Sequence, residues 1–323
     1  MDYFKNMDFR ELLAKLRELF SKMDRGDVRS KVKPAFNKLL DFLKKAPGIL
    51  AAITVFLTVL ADPAAGSTES ASLVNEEVRA LVDASFMSKG LTNDGKYYYT
   101  SGTASFAKYT ALAKYEIGTM KRETYRVFPL TWDMIREGYD NIGGISYYDG
   151  KLYAAMESGN ENALPRIAVF DADSLAYETS YELPQSWFPQ GIKWAAVDPA
   201  SGILYTCAWP SAESIHAFRI ADAMTHLGEI NVTGAALDRI CGGEVYDGVL
   251  YLSQDVEYGR INNVLRVDLE AGEAEVAFTR DSGRSDNIAG DLTVHDKRDD
   301  GSLFHVSDYN GLIGVYLRSY AVL

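Results

Sequence analysis

The sequence predicts an all-β ring of five four-stranded units, a five-bladed β-propeller. A helical N-terminal region with one membrane-spanning or signal-anchor helix comes before it. Three observations predict this. A glycine turn followed three positions later by Tyr or Phe recurs five times, each recurrence lies between apolar runs of strand length, and an uncharged run precedes them all at residues 46–61.

The chain has 323 residues, 47% of them hydrophobic, enough for a large core. Residues 1–45 read as a cytoplasmic amphipathic segment. Phe9, Leu12, Leu13, Leu16, Leu19 and Phe20 recur at helical spacing with charges between them. Such helices can lie on a membrane surface or pair with a partner. Residues 46–61 carry no charge and end at Asp62-Pro63. This run lies between a signal-peptide core and a full span of ~20 residues. Lys44 and Lys45 precede it, so the positive-inside rule keeps the N-terminus cytoplasmic and puts the rest outside. The expectation is a single-pass anchor in the cell membrane. The alternative is a secreted chain cleaved near Ala61, where Val59 and Ala61 are suitably small. Residues 62–74 read as a linker and 75–323 as the propeller.

The repeats are "DGKYY" at Gly95, "DGKLY" at Gly150, "SGILY" at Gly202, "DGVLY" at Gly248 and "DGSLF" at Gly301, spaced 55, 52, 46 and 53 residues apart. That period suits units of four short strands. Asp-Gly between apolar alternations is a hairpin signal, because a type I′ turn needs positive φ. Glycines also open the first strand of each unit: Gly90, Gly143-Gly144, Gly191, Gly242-Gly243 and Gly290. They fit a crowded axis where backbones approach closely. The fifth unit runs out before a full fourth strand, and "NEEVRALVDASFM" has no other place. The expectation is that "EEVRALV" supplies the missing outer strand and closes the ring, removing the exposed edges.

The repeated "DGKLY"-type hairpins resemble those of the bacterial YVTN/NHL-like and quinoprotein-like β-propellers over about residues 75–323. Within that group, "FPQGIKWAAVDPASGILYTCAW" is similar to the five-bladed glutaminyl cyclotransferases, which carry a "TQGL" strand, a "G.LY" turn and an acidic residue. Here Pro189 replaces the Thr and Trp209 stands where the acidic residue is expected. The resemblance implies a fold and carries no activity across.

Residues 1–45 hold a net +5 and the remainder −17, within a total of −12. An acidic body argues against nucleic acid as a partner and permits cations or basic ligands; acidity also simply favours solubility. "GLTNDGKY" resembles a phosphate loop, but Tyr97 stands where Ser or Thr must ligate magnesium. "DKRDDG" at Asp296 fails as a calcium loop, with Arg298 at a ligand position and Ser307 at the twelfth. No HExxH or GxSxG occurs. Of the four histidines, His305 is the one to test as a proton carrier. Cys207 and Cys241 are either two small buried thiols or, outside the cytoplasm, a disulfide.

Hairpin direction sets the candidate site. Strand-one starts and strand-two ends of every unit share one face of the ring. Asn141, Gln190, Glu244, Asn287 and Asp291 come from the starts, and Glu157, Trp209, Asp255 and Asp308 from the ends. The expectation is five converging carboxylates that could hold calcium, an amine ligand or a shifted pKa; the simpler reading has them capping strand ends. The favoured function is an extracytoplasmic module binding a small molecule or protein on this face. The alternative is a propeller enzyme: a hydrolase, lactonase or glutaminyl-cyclotransferase-like protein.

Overall fold

The computed structural model describes residues 71–79, 85–104, 109–256, 261–281, 287–310 and 314–322. Residues 46–61, and the helices expected before them, lie outside these. Among the described residues no helix is long and apolar enough to cross a membrane.

Blade 1 is Leu91–Asn93, Tyr97–Ala104, Tyr109–Glu116 and Arg122–Val127. Blade 2 is Tyr139–Tyr148, Lys151–Ser158, Arg166–Asp171 and Tyr177–Glu182. Blade 3 is Ala196–Asp198, Ile203–Thr206, Ser214–Arg219 and Thr225–Asn231. Blade 4 is Ile240–Tyr246, Val249–Val256, Ile261–Asp268 and Glu273–Asp281, with Thr233–Gly234 added in parallel at its outer edge. Blade 5 is Asn287–Val294, Phe304–Asn310, Gly314–Val322 and the N-terminal strand Ala71–Arg79. Within each blade the four strands are hydrogen-bonded in that order.

The closing strand pairs antiparallel with the C-terminal one, Ala71 opposite Val322 and Arg79 opposite Val315. Blade 5 is therefore built from both ends of the propeller sequence. The strand starts at Ala71, inside the stretch read as linker, because Ala71 is buried against Phe278, Phe304 and Tyr320 and joins the apolar core there.

The Asp-Gly hairpins take the expected shape in blades 2 and 4, where Asp149 and Gly150, and Asp247 and Gly248, all have positive φ. Five apolar clusters lie one at each contact between consecutive blades, including blade 5 with blade 1. No blade buries both its faces alone, so the ring is stable only when assembled. Blade 3 departs from the expectation. Its first strand starts at Ala196, not at Gly191, and residues 191–195 run irregularly toward the axis.

Candidate functional site

The axis of the ring is closed by Asp291, on the innermost strand of blade 5. Its Oδ1 accepts the backbone N–H groups of Gly243 and Leu292, both at 2.9 Å. Its Oδ2 accepts those of Leu91 at 3.1 Å and Ile145 at 2.9 Å. One fully buried carboxyl thus ties together blades 1, 2, 4 and 5. Burial raises its pKa well above the usual carboxylate range, against the pull of these donors. Gly242 is required here, because a Cβ on it would overlap Asp291. Trp194 fills the share of blade 3, packed against Gly144 and Gly243.

On the hairpin-turn side of this plug lies Glu244. It accepts from the Thr293 hydroxyl at 2.6 Å, the Asn93 amide at 3.2 Å and the Val294 N–H at 3.4 Å. No cation is among these partners, and burial pushes its pKa up to about 8. Glu244 is therefore largely a neutral acid at pH 7.

On the other side of the plug, where strand-one starts meet strand-two ends, is a mouth crossed by a row of charges. Glu157, in register with Asn141, bonds Lys193 Nζ and lies 3.8 Å from Lys89 Nζ. Burial pushes the Glu157 pKa up, but Lys89, Lys193 and Asn141 outweigh it and hold the carboxyl below its ordinary value. Asn141 also accepts from the Thr103 hydroxyl. Lys193 Nζ stands 4.7 Å from the centre of the Trp209 ring, and the Arg239 guanidinium stands 5.4 Å from it. Arg239 Nε donates to Asp255 Oδ2 at 3.1 Å. Lys89, Glu157, Lys193, Trp209, Arg239 and Asp255 thus form one row from blade 1 to blade 4. An open cavity of about 550 Å³ lies where the outer strand of blade 3 leads into blade 4, lined by Ser211, Ala212, Asn231, Val232, Leu237 and Asp238 and by none of the side chains of the row. Ser211 and Asp238 are near neighbours in sequence of Trp209 and Arg239.

The structure therefore separates the carboxylates expected to converge. Glu157 and Asp255 are at the mouth, each on a cation. Asp291 is in the plug and Glu244 beyond it. Asp308 is buried between blades 4 and 5, where it accepts from Arg280 at 2.8 Å and Arg318 at 2.6 Å. Among the described residues no group of three or more His, Cys, Asp or Glu is placed to hold a metal ion, so calcium has no ligand set there. The physical reason is that each carboxylate found partners within its own layer of the ring. Gln190 lies on an exposed turn before the first strand of blade 3, and Asn287 opens the first strand of blade 5 opposite Asn310.

The two thiols are unbridged. Cys207 accepts from the Trp194 indole N–H at 3.3 Å, Cys241 donates to the Arg239 carbonyl at 3.4 Å, and burial pushes both up to about 12. His305 and His295 stack with ring centres 3.9 Å apart, buried where blade 5 meets blade 1. Sequence reasoning missed Lys89, Lys193 and Arg239. They occupy the same strand-one starts that selected the carboxylates, and counting cations there would have found them.

Strand order and closure define the chain as a five-bladed β-propeller. No protein-family model matches it, and no curated protein sequence is significantly similar to it. Among solved structures it is similar to RS223 β-xylosidase, with 12% identity and a TM-score of 0.50 over 76% of this chain and 95% of that one. A GH43_1 enzyme from Xanthomonas citri, complexed with xylose, gives 11% identity and 0.50 over 78% and 90%. An exo-β-1,3-galactanase from Phanerochaete chrysosporium gives 11% and 0.51 over 77% and 64%. At such identities the likeness shows the fold alone.

Proposed function

We propose that this chain is a ligand-binding propeller, anchored to the outer face of the cell membrane through residues 46–61, whose mouth is the binding face. The observation that carries the reading is the row from Lys89 to Asp255. It brings an indole, three cations and two carboxylates from four blades to one end of a closed ring. A few convergent polar groups beside an aromatic side chain are what small-molecule sites use to orient a ligand. The chain enters the ring at Ala71, at the hairpin-turn end and not at the mouth.

An enzymatic reading has less support. Glycoside hydrolysis needs one carboxyl kept protonated as an acid beside a second carboxylate. At the mouth, Glu157 is held ionised by two lysines and Asp255 is paired with Arg239. Glu244, the neutral acid, is cut off from the mouth by the Asp291 plug.

Two experiments test the proposal. A ligand screen read by thermal shift should yield compounds that stabilise the parent and not Trp209→Ala; compounds that stabilise both equally would place binding elsewhere. Protease added to intact cells should digest residues after Asp62 and spare those before Lys44. Recovery of the whole chain from the soluble cytosol would refute the anchor, and the mass of the mature N-terminus separates an anchor from cleavage near Ala61.

A further inference from the structure

The acidic body suggests a cationic ligand, but the local charges at the mouth have the opposite arrangement. Two ammonium groups, Lys89 and Lys193, share the single carboxylate of Glu157. Arg239 is paired with Asp255. The Lys89–Glu157–Lys193 set therefore keeps a surplus positive charge. The row also presents its cations outward: the side chains of Lys89, Lys193 and Arg239 are 34%, 28% and 28% exposed, against 12% for Glu157 and 0% for Asp255. The carboxylates are the floor and the cations the rim. Cys241, which feels Lys89, Lys193, Glu157 and Asp255 together, adds no negative charge, because its thiol stays protonated. The Trp209 indole, flanked by Lys193 and Arg239, offers no charge to oppose an incoming anion.

We infer that the mouth binds an anionic group, a carboxylate or a phosphate, at Lys89 and Lys193 beside Trp209. This rests on the mouth being the binding face and names the chemistry it selects. An anion there completes the charge of the Lys89–Glu157–Lys193 set, and ammonium donors suit both oxyanions.

Quenching of Trp209 fluorescence tests this without knowledge of the natural ligand. In the full-length chain, Trp132→Phe removes the most exposed indole. The difference between that protein and one that also carries Trp209→Phe isolates the Trp209 signal. With each quenching constant divided by that of free tryptophan amide, iodide should quench it several-fold more strongly than caesium, the ratio that a local potential of about one kT gives to ions of opposite sign. Inorganic phosphate and acetate serve as competing probes, and the better protector tells phosphate from carboxylate recognition. Lys89→Gln with Lys193→Gln should bring the iodide and caesium values together, with acrylamide quenching unchanged as the check on folding. Lys193→Arg, which keeps the charge, should retain the iodide preference. Caesium quenching as strong as iodide, or a failure of both anions to protect, overturns the inference. If neutral compounds stabilise the parent in a Trp209-dependent way while neither anion protects, the binding face stands and its anion selectivity falls.

Discussion

Asp308 is the point at which the blade 4–blade 5 contact is most vulnerable. Its two oxygens hold Arg280 from blade 4 and Arg318 from blade 5, and all three side chains are nearly inaccessible. Arg280 also donates to Ser253 Oγ at 3.0 Å, and Arg318 to Glu76 on the closing strand at 2.7 Å. Asp308→Asn keeps the shape and removes the charge, so two buried guanidinium groups are left with Glu76 alone. Removing one partner of a buried pair costs about 3–5 kcal/mol, and two cations depending on one carboxylate put this site at the upper end. For a domain of this size that corresponds to a fall in Tm of ~10–20 °C. Urea and thermal unfolding at pH 7 would measure it, and the loss should change little with salt because the site excludes solvent. Replacing Arg280, Asp308 and Arg318 together with Met, Leu and Met should recover most of the stability, since apolar residues of similar volume replace such triads well. A stability for Asp308→Asn within about 1 kcal/mol of the parent, inside the range of surface pairs, would refute the reasoning.

Other outcomes follow from the same geometry. Burial lowers the His295 and His305 pKa values to about 4 and about 3, so the unfolded chain takes up protons first as pH falls below 6.5. Their contribution is present above pH 6.5 and is lost toward acid, by about 3 kcal/mol between pH 6.5 and 5; urea midpoints should show a variant carrying His295→Gln and His305→Gln lacking that acid loss. Glu244 acts in the opposite sense, because its folded pKa of about 8 exceeds its ordinary 4.5. The parent should lose stability relative to Glu244→Gln as pH rises from 5 to 8, and parallel curves would show that Glu244 ionises freely. Gly242→Ala places a methyl group on Asp291 and should cost about 3 kcal/mol or more by denaturant unfolding, as overpacking at a rigid site does.

Much of the fold was legible because its signals are local. Asp149-Gly150 and Asp247-Gly248 announce their hairpins within a few residues, and the repeat spacing gives the number of blades. The unplaced segment before the first repeat, with the short fifth one, was enough to infer a closing strand. Blade 3 was less legible, since Gly191 has the glycine of a strand start but sits in an irregular approach to the axis. The candidate site was legible by position and not by partner. Hairpin direction brings Glu157, Asp255 and Trp209 to the mouth. It cannot show that Asp291 would meet Leu91 across 200 residues of sequence, or Asp308 meet Arg280 inside a blade contact. Such partners come from separate blades, and only ring closure brings them together. Counting carboxylates alone left Lys89, Lys193 and Arg239 out of the expected site.

The mouth exists only if blade 5 sits beside blade 1, and the closing strand makes that so. The direct test is a cross-link in its stated register. In a full-length chain with Cys207→Ser and Cys241→Ser, the pair Ser72→Cys and Ala321→Cys places two thiols opposite each other on neighbouring strands. Mild oxidation should join them within one chain, and the joined protein should unfold at higher denaturant than its reduced form. Failure to cross-link, or a bond formed only between two chains, would contradict the ring closed by Ala71–Arg79 and with it the site built on that ring.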